Sequence, residues 1–112
     1  MSKYYVNKAI NGQFYFNLTG KNGEIILTSE TYVTRQGCND GITSVRTHSP
    51  YDSNYKKHTA TNGQFYFTLV SNNNKIIGTS EMYSFSSSRE NGIASVKENG
   101  PKAEVVDRAP VY

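Results

Sequence analysis

The residues best suited to chemistry fall in one short segment that occurs twice. Thr28-Ser29-Glu30-x-Tyr32 returns as Thr79-Ser80-Glu81-x-Tyr83. Two glutamates working as an acid–base pair need their carboxyls about 5–9.5 Å apart. Nothing in the sequence brings Glu30 and Glu81 that close. The competing reading is structural: Ser and Glu satisfy the orphan backbone N–H groups at a helix start, and Tyr32 and Tyr83 fill the corner. The other reactive side chains are not repeated. His48 aligns with Asn99, His58 with Asn7, and Cys38 with Arg89. They lack metal-ligand spacing. No nucleophile elbow, phosphate loop or Cys-x-x-Cys occurs. The expectation is therefore no catalytic residue, no metal and no cofactor.

A second group suggests binding. Gln13, Tyr15 and Asn17, with Gln64, Tyr66 and Thr68, occupy alternate positions of two segments whose other positions are apolar. On strands, they share the face turned away from the core. Ile25 and Ile76 are expected to join them. A Tyr/Ile patch on a polar face can hold a peptide, a small ligand, a second copy or a stacked base. The plainer reading is that Tyr is a good outward strand residue.

What positions these residues is a duplication. Residues 4–50 align on 55–101 without a gap, at an offset of 51, and 21 of the 47 positions are identical. Such a period marks one supersecondary unit used twice. Tyr4–Ile10, Gln13–Thr19 and Glu24–Thr28 read as strands, as do Tyr55–Thr61, Gln64–Val70 and Lys75–Thr79. Asn11-Gly12 and Asn62-Gly63 signal two-residue hairpin turns with positive φ at both positions. The period then changes. Cys38, Gly41, Ile42 and Val45, matched by Arg89, Gly92, Ile93 and Val96, form one helical face. Helix starts are expected near Thr34 and Ser86, with Ser87–Glu90 a capping box. The ends fall before Ser49-Pro50 and Gly100-Pro101. Ala103–Val106 reads as a last strand pairing near the first. Gly41 and Gly92 inside helices imply close approach of the helix backbone to the sheet, against a Phe ring.

The predicted fold is α+β: two tandem βββα repeats sharing one core about a pseudo-two-fold axis, with the helices on one face of an antiparallel sheet. Residues 1–106 form a single domain, and 107–112 a disordered tail. Each half alone, about 50 residues, would be marginal. The net charge of +3 comes from 12 basic and 9 acidic side chains scattered along the chain. The clustered basic footprint of a nucleic-acid or membrane binder is absent. No apolar run is long enough to span a membrane, and a lone cysteine fits a reducing compartment, so the cytoplasm is expected.

The repeated Asn-Gly-Gln-Phe-Tyr-Phe, Ile-Ile-x-Thr-Ser-Glu-x-Tyr and Gly-Ile-x-Ser-Val-Arg/Lys segments resemble the YegP-like family over residues 4–101. That is a bacterial family of tandem repeats of unknown function. The resemblance implies a compact cytosolic α+β protein and supplies no activity and no site residues. Single-repeat members that pair as dimers imply that this tandem chain is its own pseudo-dimer. The functional expectation is a monomeric, non-enzymatic domain that binds a protein or small ligand through the outer sheet face or a groove along the pseudo-dyad. A nucleic-acid-associated role is the runner-up, and an enzyme using the Glu30/Glu81 region comes third.

Overall fold

The computed structural model describes residues 1–110. β1 (Lys3–Lys8), β2 (Phe14–Thr19), β3 (Ile25–Ser29) and α1 (Arg35–His48) make the first unit. After a short turn at Asp52–Asn54, β4 (Tyr55–Thr59), β5 (Phe65–Val70), β6 (Ile76–Thr79) and α2 (Ser86–Asn99) repeat it, and β7 (Glu104–Asp107) follows. The strands form one sheet in the order β4-β5-β6-β3-β2-β1-β7. The helices pack on one side, and a single cluster takes Tyr4, Phe16, Leu18, Ile42 and Val45 from one half and Tyr55, Phe67, Leu69, Ile93 and Val96 from the other. Each helix also touches strands of the other unit, so the halves interlock.

The hairpins differ from the expected two-residue form. Ala9 N–H donates to Gln13 C=O, Gly12 N–H donates to Ala9 C=O, and only Gly12 has positive φ, at 83°. This is a type I turn closed by a left-handed residue, the three-residue loop whose twist suits a hairpin. The same pair of bonds closes the loops at Gly20–Glu24, Ala60–Gln64 and Ser71–Lys75. Asn74 takes the left-handed place in the last, with φ 68°. The longer loop is why β1 stops at Lys8 and why Gln13 and Gln64 precede their strands.

Thr34 caps α1 by accepting the Gly37 N–H at 2.9 Å. In α2 the cap position is Phe85, one residue before the expected Ser86, and no side chain caps it. No capping box forms. The sheet is also not wholly antiparallel: β7 lies parallel to β1, with Tyr4 opposite Val105. The chain leaves α2 beside the Tyr4 end of β1, because the Tyr4 hydroxyl donates to Gly100 C=O at 2.5 Å, and it continues in the direction of β1. The tail expected to fray from Asp107 is tied down through Pro110. Arg108 N–H donates to Val6 C=O, and Arg35 grips both Asp107 carboxylate oxygens and the Pro110 carbonyl. The remaining residues of that tail, 111–112, lie outside the described residues.

The pseudo-two-fold axis runs between β3 and β6, where Thr28 pairs with Thr79, its own equivalent. Contacts at the axis bring equivalent residues together, and there the sequence breaks symmetry. Leu27 is fully buried; its equivalent is Gly78, and a Cβ on Gly78 would lie 2.9 Å from Leu27 Cγ. Ser49 follows α1; its equivalent is Gly100, where a Cβ would lie 2.6 Å from Ser49 Oγ. One copy keeps the side chain and the other yields the room.

Gly78→Leu alone should overpack the axis and Leu27→Gly alone should open a cavity, each costing about 2–5 kcal/mol. Combined, they move the leucine to the equivalent position and should recover a large part of the loss in urea melts. Simple additivity of the two losses would exclude this account of the axis.

Tyr4 and Tyr55, also equivalents, close the helix ends: the Tyr55 hydroxyl donates to Ser49 C=O at 2.7 Å. Burial raises both phenol pKa values well above the ordinary tyrosine value of 10. The unfolded chain loses these protons near pH 10 and the folded one only higher, so their stabilisation is intact below about pH 10 and lost as pH climbs further. Alkaline unfolding followed by circular dichroism should show this fall. Tyr4→Phe, which strands a buried carbonyl, should destabilise the neutral protein by about 1–3 kcal/mol.

Candidate functional site

The Thr-Ser-Glu-x-Tyr segments turn out to be fasteners. Ser29 Oγ accepts the Phe16 N–H at 2.9 Å and donates to Glu30 C=O at 2.7 Å. Ser80 does the same for Phe67 and Glu81, at 2.9 and 2.8 Å. The serines thus satisfy a strand N–H where the sheet register shifts, not a helix start as expected. Tyr32 and Tyr83 fill the corners. Their backbones bridge to Phe14 and Phe65, and their rings lie beside the helix glycines. A Cβ on Gly41 would run into the Tyr32 hydroxyl and lie 3.1 Å from Phe16 Cε2; one on Gly92 would lie 2.5 Å from the Tyr83 hydroxyl. The close approach foreseen at these glycines exists, with a tyrosine phenol nearer than the phenylalanine ring. Burial raises both phenol pKa values.

The glutamates do not converge. Glu30 N–H donates to Ile77 C=O at 3.3 Å, which sets Glu30 four residues from Glu81 along antiparallel strands. At about 3.3 Å per residue that is roughly 13 Å, beyond the reach of a carboxyl pair. Both side chains are exposed.

Among the described residues no layer covers the face of the sheet opposite the helices, and that face receives Tyr15, Asn17, Tyr66 and Thr68. A polar chain crosses its middle. Asn7 Nδ2 donates to Asn17 Oδ1 and Asn17 Nδ2 to Thr28 Oγ1, each at 3.0 Å. Beyond the Thr28–Thr79 pair, Thr68 Oγ1 meets His58 Nε2 at 3.0 Å. Asn17 and Thr68 are therefore engaged within the sheet. The tyrosines stand apart. Three strand spacings of about 4.8 Å and four residues of about 3.3 Å separate Tyr15 from Tyr66, on the order of 20 Å on the diagonal. They head two patches rather than one. In one, the Arg108 guanidinium lies 3.7 Å from the centre of the Tyr5 ring, beside Asn7 and Tyr15. In the other, the His58 imidazole stacks on Tyr66 with ring centres 4.8 Å apart. Gln13 and Gln64 sit in the turns, where Gln64 accepts from Asn62 Nδ2. Ile76 departs from expectation: it lines a groove on the helix side, against α1.

Tyr5, His58 and Arg108 were missed by sequence reasoning. The hairpin register sets His58 opposite Tyr66 and would have found it. Arg108 required knowing that β7 lies beside β1.

The helix-side groove, of about 570 Å³, gathers Tyr32, Asp40, Ser44, His48 and Lys75. His48 Nδ1 bonds the Ser44 carbonyl at 2.8 Å. In the second copy Asn99 Nδ2 makes the same bond to Ser95, at 2.9 Å. The position is thus filled by whichever residue can close the helix. Cys38 lies on the buried face of α1, its thiol pushed up to about 11 chiefly by burial. Among the described residues no group of three or more His, Cys, Asp and Glu side chains could hold a metal, and no helix is long and apolar enough to cross a membrane.

A family model described as a domain of unknown function, DUF1508, matches residues 9–55 and again 60–107. The chain belongs to this family. Its two matches coincide with the internal duplication, framed about five residues later. The UPF0339 protein YegP of Escherichia coli K12 is 49% identical over 104 residues, 93% of this chain and 94% of that one. A UPF0339 protein of Bordetella pertussis is 48% identical over 108 residues, 96% and 97% of the two chains. The solution NMR structure of E. coli YegP, described as a protein of unknown function, superposes with a TM-score of 0.93 at 46% identity, covering 99% of this chain and 96% of that one. A Shewanella oneidensis UPF0339 structure gives 0.91, also at 46% identity, covering 96% and 92%. This DUF1508 chain therefore shares both repeat and fold with relatives of unknown function.

Gly41→Leu should push the Tyr32 ring out of its corner and lower stability by several kcal/mol. Gly92→Leu should do the same through Tyr83. Near-neutral urea melts would show that these contacts relax freely.

Proposed function

We propose that this DUF1508 protein is a non-enzymatic binding domain that acts as a monomer in the cytoplasm and takes its partner on the outer face of the sheet. The observation that carries this reading is Tyr15. It is half-buried on this outer face and its side chain makes no hydrogen bond or ring contact to another described residue, while its polar neighbours are engaged with one another. Tyr66, held flat by His58, offers a second ring of the same kind. Aromatic surfaces fixed in this way lose little entropy on meeting a ligand. The separation of Glu30 from Glu81 supports binding over catalysis, and the free, buried Cys38 suits a reducing compartment.

The Arg108 guanidinium over the Tyr5 ring, beside Tyr15, also suits an unpaired nucleic-acid strand. Salt distinguishes the two partners. Phosphate contacts make affinity fall steeply with ionic strength, whereas an uncharged ligand responds little.

The test replaces Tyr15 and Tyr66 together by Ser. Stability should change by about 1 kcal/mol or less, and partner capture at 50 and 200 mM salt should be lost at both. Unfolding of the double variant would show that this face is core, and retained capture would place the partner elsewhere.

A further inference from the structure

The pseudo-symmetry leaves one place in the sheet unfilled. β1 and β4 are equivalent strands, and each is flanked on its inner side by its hairpin partner. On its outer side β1 is covered by β7, whereas β4 is the edge of the sheet. The cover on β1 is specific. Arg108 N–H donates to Val6 C=O, and Arg46 of α1 donates to the carbonyls of Pro101 and Ala103 as the chain enters β7. The equivalents around β4 are Lys57 for Val6 and Lys97 for Arg46. Here the matching region is a recess of about 370 Å³ between β4 and α2, floored by Tyr55 and Ile93 and rimmed by Lys57, Glu90 and Lys97.

We propose that the open edge of β4 is a docking site for an extended peptide segment of another protein, which adds to the sheet as an eighth strand parallel to β4, as β7 adds to β1. Backbone groups supply the affinity in such strand addition, and alternate side chains supply the selectivity. The segment's chemistry follows from the edge. Its inward positions, above Tyr55 and Ile93, take small or aliphatic side chains. Its flanks take acidic ones on the outer face, because Lys56 makes no ion pair among the described residues, whereas Lys57, on the helix side, is already paired with Glu90 at 2.8 Å. β7 itself has this composition, with Glu104 and Asp107 enclosing Val105 and Val106. A second copy meeting edge to edge is disfavoured, since β4 against β4 sets lysines against lysines. This site is separate from Tyr15, on the far side of the sheet.

The probe is a synthetic peptide, acetyl-Ala-Glu-Val-Val-Asp-Arg-Ala-amide, titrated into the isotope-labelled full chain. Amide shifts and at least threefold slower hydrogen exchange should appear at Lys57 and Thr59, with shifts at Ile93 and at Tyr55, whose N–H already donates to Asp52 C=O. Lys56→Glu with Lys57→Glu, both exposed, should weaken binding at least fivefold while the rest of the amide spectrum is retained. A peptide N-methylated at alternate residues should not bind to the unaltered protein, which tests the backbone contacts without any variant. The proposal is overturned by no response at β4 with millimolar peptide. It is equally overturned by changes confined to β1, which would mean exchange with the protein's own β7, or by undiminished binding of the N-methylated peptide.

Discussion

Where a contact lies on the pseudo-two-fold axis, a residue meets its own equivalent, and two bulky equivalents cannot share one space. The rest of the structure accommodates this constraint. At Thr28–Thr79 the pair is small enough to stay identical. At Leu27–Gly78 and Ser49–Gly100 it is not, and one copy retreats to glycine. Glycine within a strand is ordinarily unfavourable by about 0.5–1 kcal/mol. At Gly78 that loss is small beside the burial of Leu27, for which a leucine gains about 1.5–3 kcal/mol. A tandem chain can make this unequal choice because its halves mutate separately. Two identical single-repeat chains meeting across the same axis would carry the same residue on both sides.

Away from the axis the copies stay alike for a related reason. Each tyrosine after the Ser-Glu step lies in a slot that only a helix glycine leaves open, and each serine closes a strand N–H that the register shift would otherwise leave bare. Removing either partner exposes the other. That is why Ser29, Tyr32 and Gly41 recur as Ser80, Tyr83 and Gly92, while neighbouring surface positions drift. Phe85 shows the drift: it stands where Thr34 caps the first helix, and α2 survives on packing alone. The serines and tyrosines of the shared motif therefore have an architectural role.

The repeat, the alternating strands and the helical stripe were legible in the sequence because each is a local periodicity imposed by burial. Phe16, Leu18, Ile42 and Val45 are buried as their spacing requires. What depended on register was not legible. Asn-Gly announced a hairpin but not the extra loop residue, since only the backbone reveals that Asn11 stays out of the left-handed region. The parallel pairing of β7 hinges on where α2 ends relative to Tyr4, a long-range fact. The same holds for the candidate face. Alternation placed Tyr15 and Tyr66 outward correctly, but the antiparallel crossing at the dyad sends them to opposite corners, and it separates Glu30 from Glu81.

A conserved-looking motif inside a duplicated chain invites a functional reading, yet here duplication itself supplies the comparison that weakens it. A position identical in both copies has two chances to be needed for packing, and the retained Phe16, Leu18, Tyr32, Gly41, Ile42 and Val45 all have packing partners. The retained rings of Tyr15 and Tyr66 are the exception on the outer face, and the other surface features of note lie where the copies differ or where symmetry is left incomplete. His58 replaces Asn7 on the outer face. Lys57 replaces Val6, and β4 has no counterpart of β7 at its side. These three departures lie on or beside β4, the edge strand that the second repeat leaves without a neighbour.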